Sequence, residues 1–211
     1  YVGPEFTDKL SKSTAEALEP MLVAVSKLTD AIRKYDEQLE QMKAKYLEVE
    51  LLTPVYGVGT ILSLTYVLTV EDPSRFRRSR EIGPYLGLVR ALRDSGQQQS
   101  ELGISKQGDR HLRRLLVQGA HCLLRKGAPD SDLKRWAMHQ LDHPLKEHNN
   151  QNKKKPGRSG KKRVVVAVAR RLAVLLHRLW VTGDSYEPLY DTKAKAQAQN
   201  RQKAKAAAQA A

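Results

Sequence analysis

Apolar side chains recur along the first quarter of the chain at Leu18, Met21, Val25, Leu28, Ile32, Tyr35, Leu39, Met42, Tyr46 and Val49, in alternating steps of three and four. Such steps keep the apolar positions on one stripe of a helix, which is the seam of a heptad coiled coil. Pro20 suits a first helical turn and Pro54 bars continuation past Leu52. The pattern therefore predicts one helix between them of about 30 residues, roughly 45 Å long. It reads as a strut or a dimerisation arm. One helix laid lengthwise on its own domain fits the same pattern, because Asp36, Glu37, Lys43 and Lys45 beside the seam select no partner.

Beyond Leu52 the periodicity continues in shorter pieces. Thr53-Pro-Val-Tyr-Gly-Val-Gly-Thr leads into an apolar helix, Ile61 to Val70, that stops at Asp72-Pro73. A short helix is predicted at about Ser79 to Leu88. Arg90 to about Ser105 has no apolar period and reads as an exposed loop. Leu112, Leu115, Leu116, Gly119, Cys122 and Leu123 give an amphipathic helix over Asp109 to Lys126, with Arg110, Arg113, Arg114 and Gln118 mainly on its other faces. Another helix, Asp130 to Asp142, ends at Pro144, and a last one, about Lys161 to Thr182, is apolar enough for a core. No strand pattern and no repeat is visible, so the fold class is all-α: a long coiled-coil helix and then a compact helical domain. The divisions are a coiled-coil arm, 1–52, a helical domain, 53–190, and an Ala/Lys/Gln-rich tail, 191–211.

Charge sharpens this division. The chain of 211 residues carries 37 Lys and Arg against 23 Asp and Glu. Residues 1–52 hold 7 basic and 10 acidic side chains, and residues 53–211 hold 30 and 13. A basic unit of this kind points to a polyanion, with nucleic acid as the first expectation and an anionic membrane surface or a solubilising charge as alternatives. Segment 146–163 concentrates eight basic side chains against one acid with almost nothing apolar, and reads as a mobile basic loop containing Lys153, Lys154, Lys155, Lys161 and Lys162. Two Phe and two Trp argue against a platform that stacks single-stranded bases. Cys122 stands alone and closes no intrachain disulfide, so a reducing compartment is expected. The longest apolar stretch is interrupted by Arg170, Arg171 and Arg178, which excludes a membrane span there. The first residues, Tyr1-Val-Gly-Pro-Glu, lack Met and a signal pattern and read as an internal cut.

Several constellations bear on chemistry. Gly57-Val58-Gly59 between two helical segments has the form of a helix-hairpin-helix, whose hairpin amides meet a DNA phosphate. A structural Gly-x-Gly turn would look the same. Gly157-Arg-Ser-Gly-Lys-Lys has the wrong glycine spacing for a phosphate loop. Asp94-Ser95-Gly96 lacks the leading glycine of a hydrolase elbow. His139, His143 and His148 lack an acidic third ligand, so no metal site is assigned. What remains is Ser95 in a basic loop, where Arg90, Arg93, Lys106, Arg110, Arg113 and Arg114 surround a place for a phosphodiester.

The order Pro54…Gly57-Val-Gly59, Phe76, Tyr85-Leu-Gly-Leu-Val89, Ser95-Gly96, Gly103-Ile-Ser-Lys-Gln-Gly108-Asp-Arg-His-Leu-Arg113 and Val166-Ala-Val-Ala-Arg-Arg-Leu172 resembles the C-terminal half of transposases of the insertion-sequence 110 family, with its 116 and 902 relatives, over about residues 51–190. Ile104-Ser-Lys-x-Gly108 followed by Leu112-Arg113 is its most specific part. Arg90 departs from the pattern, where proline commonly follows Gly-Leu-Val. The resemblance implies an all-helical DNA transposase domain in which Ser95 is the nucleophile that cuts and rejoins strands. It also implies a RuvC-like half ahead of the coiled coil that binds magnesium, and an element-encoded RNA that guides target choice. This chain then supplies no cofactor site of its own and would be inactive alone. Its partners would be DNA, the guide RNA and further copies joined by the coiled coil, in a bacterial or archaeal cytoplasm at the nucleoid. Gly57, Gly59, Arg93, Lys106, Arg110, Arg113, Arg114 and the five lysines 153–155, 161 and 162 are the nucleic-acid-binding candidates. The rival reading is a non-catalytic helix-hairpin-helix protein in which Ser95 is incidental.

Overall fold

The computed structural model describes residues 11–91, 94–95, 98–99, 103–142 and 158–193. The chain divides between Lys45 and Tyr46 into two compact units. The first contains one long helix, α1 (Lys12–Lys43), which buries none of its side chains. It starts earlier than the proline rule suggests, because Ser11 opens it and its carbonyl accepts from the amides of Thr14 and Ala15 at 2.9 and 3.0 Å. Pro20 then sits inside the helix, where a missing N–H costs one rung of the ladder without ending it. The helix also stops earlier, at Lys43. Tyr46 and Val49, which extend the heptad spacing, lie beyond the break.

The second unit begins with α2 (Leu47–Leu52) and α3 (Thr60–Val70), followed by 3-10 turns at Pro73–Arg75 and Ser79–Glu81, then α4 (Ile82–Tyr85). The single helix expected at Ser79 to Leu88 is thus split into a 3-10 turn and one α-turn. After them come two short strands, β1 (Asp94–Ser95) and β2 (Gln98–Gln99), and the helices α5 (Arg110–Leu123), α6 (Asp132–Asp142) and α7 (Arg158–Thr182). Apart from that two-residue pairing the described residues are helical or irregular, so the fold is all-α.

The last helix is the hub: α2, α4, α5, α6 and both 3-10 turns pack against α7. Its Val168, Ala169, Leu172, Ala173, Leu176 and Leu179 are buried, an apolar surface wider than one stripe because neighbours surround it. From α5, Leu112, Leu116, Ala120 and Leu123 complete this core. Tyr66 of α3 is fully buried, and its hydroxyl donates to the Ala173 carbonyl at 2.8 Å. Burial pushes its phenol well above the ordinary tyrosine value. Left unpaired there, the hydroxyl would cost roughly 1–3 kcal/mol.

Two expectations about irregular segments change. Residues 158–163 form the start of α7 and are not loop. Their continuity with the apolar run from Val164 supplies the helix that the charge pattern hides. The stretch between Arg90 and Ser105 contains a hairpin: Asp94 pairs with Gln99 and Ser95 with Gln98, and Arg90 bridges Ile104. Strands of two residues are too short to show alternation, and backbone bonds alone define them. The tail from residue 194 and the residues Arg93, His143, His148, Lys153, Lys154, Lys155 and Gly157 lie outside the described residues. Among the described residues, no helix is long and apolar enough to cross a membrane.

Candidate nucleic-acid interface

Helix α5 starts where Asp109 caps it, its carboxylate accepting from the Leu112 amide at 2.5 Å. With Leu112, Leu116, Gly119 and Leu123 turned into the core, the helical repeat leaves Arg110, Arg114, Gln118 and His121 exposed. These side chains form one wall of an open groove of about 800 Å³, and Ile104 and Lys106 form the other. Among the described residues, no carboxylate lines it. Asp109, at the helix start, is occupied by its cap. The second surface depression, about 340 Å³ along α6, differs in kind. There Asp130 and Arg135 pair at 2.6 Å, and that hydrogen bond holds the Asp130 carboxyl below the usual carboxylate range. Its charges are internally compensated.

The wall at Ile104–Lys106 is held by backbone pairing to residues 87–91. Ala91 donates to Gly103 at 2.9 Å, Ser105 to Val89 at 2.8 Å and Lys106 to Gly87 at 3.2 Å. Lys106 adopts a left-handed φ of 58°, uncommon for a residue with a Cβ. That turn is clasped from below by Arg113, whose Nη1 donates to the carbonyls of Gln107 at 2.7 Å and Leu86 at 3.0 Å. Arg113 is half-buried and locks the groove wall, while Lys106, Arg110 and Arg114 are exposed. Among the described residues, Ser105 Oγ is buried without a hydrogen-bond partner.

Ser95 stands on the hairpin that grows from this wall, at the last backbone pair before the strands turn. It is five steps along the chain from Arg90 of the Arg90–Ile104 bridge, which limits its reach to about 17 Å from the bridge. The structure thus joins Lys106, Arg110, Arg113 and Arg114 in one groove. Gly57 sits behind that groove with φ +84°, and a Cβ built on it would lie 2.7 Å from the Gly119 carbonyl oxygen of α5. A Cβ on Gly119 would lie 2.8 Å from the Gly57 carbonyl oxygen. Packing therefore accounts for the first glycine of the hairpin. Gly59 is different: it opens α3, is exposed, and a Cβ there meets nothing within 4 Å. Lys161 and Lys162 are exposed in the first turns of α7. Sequence reasoning passed over Gln118 and His121 as groove residues, although with Arg110 and Arg114 they continue one helical stripe.

Residues 49–135, which span α2 to the first turn of α6 and include the whole groove, match the model of the transposase IS116/IS110/IS902 family. The transposase for insertion sequence element IS1111A of Coxiella burnetii is 30% identical over 158 residues, 74% of this chain and 39% of that protein. The chain belongs to the IS116/IS110/IS902 transposase family. A probable family 20 transposase of Pseudomonas aeruginosa, 30% identical, covers 57% of the chain and is itself covered over 36% of its length. The transposase for insertion sequence element IS1328 of Yersinia enterocolitica is 31% identical over 58% of the chain and 36% of that protein. The chain thus spans well under half the length of these curated transposases. Among the described residues no group of three His, Cys, Asp or Glu could hold a metal ion. The magnesium that the resemblance implies therefore finds no ligand set in them.

Proposed function

We propose that this chain is the DNA-engaging part of a transposase in which the α5 groove receives a DNA phosphate backbone and Ser95 is the nucleophile. What carries the reading is one connection: the hairpin bearing Ser95 grows from the wall of a groove whose described lining is basic. In the reaction the Ser95 oxygen bonds to phosphorus and the bond from phosphorus to a deoxyribose oxygen breaks. The serine proton ends on the departing deoxyribose hydroxyl, and the phosphoserine link keeps the phosphodiester energy for rejoining. Lys106, Arg110 and Arg114 offset charge on the phosphate oxygens, and Arg113 positions the wall. In the same reading α1 joins copies of the chain, a guide RNA selects the DNA, and the work is done at the nucleoid in the cytoplasm.

The test is Ser95→Ala in the complete transposase carrying this chain, supplied with magnesium, its RNA and labelled duplex. A hydroxyl is needed for the covalent step and hardly for affinity. Cleavage and the protease-sensitive protein–DNA adduct should therefore vanish, while DNA binding stays within about threefold, under 1 kcal/mol. An adduct that persists in the variant returns the chain to the binding-protein reading.

A further inference from the structure

Arg75, Arg77, Arg78 and Arg80 crowd into six residues, all exposed, in the turn between α3 and α4. Four guanidinium groups this close repel one another, and a slack loop would let them drift apart. This turn is not slack. Asp72 caps its start, accepting from the amide and the hydroxyl of Ser74, both at 2.8 Å. That hydrogen bonding holds the Asp72 carboxyl below its usual range, so the acid that precedes the arginines is already occupied, while Glu81 directly follows Arg80. The buried His177 of α7 then ties both ends of the segment. Its Nε2–H donates to the Pro73 carbonyl at 3.0 Å, and its Nδ1 pairs with the Ser79 hydroxyl at 3.0 Å. Between these ties Phe76 turns inward, edge-on to the His177 ring at 5.5 Å and to Tyr85 at 5.2 Å.

Pro73, Phe76 and Ser79 thus anchor the turn. Arg75 is partly engaged, its Nη1 donating to the Val70 carbonyl at 3.4 Å. Arg77, Arg78 and Arg80 make no hydrogen bond or ion pair with a described residue. Arg80 instead faces the like charge of Arg171, whose guanidinium is disfavoured first by burial, which Asp191 partly offsets, and then by Arg80. A clamped array of unpaired arginines, with no acid between Pro73 and Arg80, has the chemistry of a phosphate-backbone grip, because each planar fork matches phosphate oxygens. The aromatic rings at the turn are spent on packing, which leaves no stacking platform for unpaired bases and favours a duplex.

We propose that the arginine turn 75–80 is a second duplex-DNA-binding surface, separate from the α5 groove. The turn packs on α7 and α4, and the groove is lined by residues between 104 and 121, so the two share no residue. The proposal rests on the DNA-binding part of the reading above and is independent of Ser95. Two rigid cationic surfaces on one domain supply the capacity to hold more than one stretch of duplex.

The test compares the full chain with Arg77→Ala/Arg78→Ala/Arg80→Ala and with Arg110→Ala/Arg114→Ala, using a 30-base-pair duplex of mixed sequence and fluorescence anisotropy over a salt series. All five substituted arginines are exposed, and unchanged thermal melting verifies the fold. Three lost phosphate contacts should make the log–log salt slope shallower by about 2.7 and weaken binding at least tenfold in low salt. Combined with the α5 substitutions, the losses should multiply. If the wild-type chain binds duplex with salt sensitivity and the triple variant matches it, this inference fails while the groove reading stands. If the wild-type chain binds no duplex, the DNA-binding reading fails as well. A triple variant that loses an RNA hairpin of equal length but keeps the duplex overturns the proposal in favour of RNA.

Discussion

Gly57 and Gly59 carry the same letter and different physics. A methyl group at Gly57 meets the Gly119 carbonyl at 2.7 Å and also forces a side chain into a left-handed backbone. Strain of about 1–3 kcal/mol from the dihedral adds to overpacking of similar size. Gly57→Ala should therefore lower stability by roughly 2–6 kcal/mol in denaturant titration. Gly59→Ala, with open space around it, should cost about 1 kcal/mol or less. If the α3 start approaches a phosphate by its backbone, Gly59→Ala weakens DNA binding without lowering the melting temperature. Equal stability loss at both positions would refute the assignment of Gly57 to packing. From the sequence, the two glycines were visible as a pair, but their roles were not, because the partner of Gly57 lies on a helix far along the chain. Arg113 was likewise readable as a cation and unreadable as the clasp of Leu86 and Gln107, since a contact to carbonyls leaves no compositional trace.

At the scale of elements, the long helix shows what periodicity can and cannot convey. Met21, Leu28, Ile32 and Tyr35 are 64, 64, 58 and 66% exposed, so the stripe that spacing predicts stands uncovered on α1. Ile32→Asp puts a charge at mid-stripe, where burial without a partner costs several kcal/mol. Sedimentation should show the wild-type chain associated and the variant monomeric. The same state for both proteins, with unchanged helicity, would remove the seam as an assembly interface. The spacing also ran on through Tyr46 and Val49, across a break that has neither Gly nor Pro to mark it. Val49 and Leu52 are buried because α2 packs on α3 and α7. Two independent apolar faces happened to be in phase. Helices α3, α5, α6 and α7 were legible to within a few residues, because each owes its pattern to one core and its ends to Asp, Pro or a glycine. The hairpin carrying Ser95 was not, because so short a pairing rests on hydrogen bonds that any sequence can make.

For the whole molecule, charge is the property that survives averaging. Residues 53–211 carry an excess of 17 positive charges, which residues 1–52 reduce to 14, and described concentrations of it lie at the α5 groove, the arginine turn and the start of α7. If about six phosphates are engaged, the affinity of the chain for duplex DNA should fall with a log–log salt slope near −5. Replacing Lys153, Lys154, Lys155, Lys161 and Lys162 by Gln should weaken binding and flatten that slope, as read by anisotropy at several salt concentrations. Salt-insensitive binding would show that the field of the molecule is not what holds the DNA. This net charge was the part of the function most legible in sequence, because it depends on counts. How the charge is split into separate surfaces depends on Leu112, Phe76 and His177, which decide where the cations are pinned.

The contact between Gly57 and Gly119 has a consequence for how this domain can vary. It is one constraint written at two distant places in the chain. A side chain at either place strikes the carbonyl of the other, and a second substitution adds a second collision where compensation would be needed. Most core contacts offer a mutational detour in which one residue shrinks as its neighbour grows, and here neither can shrink further. The α2–α3 turn and the middle of α5 are therefore bound to change together by moving backbone, or to stay as they are.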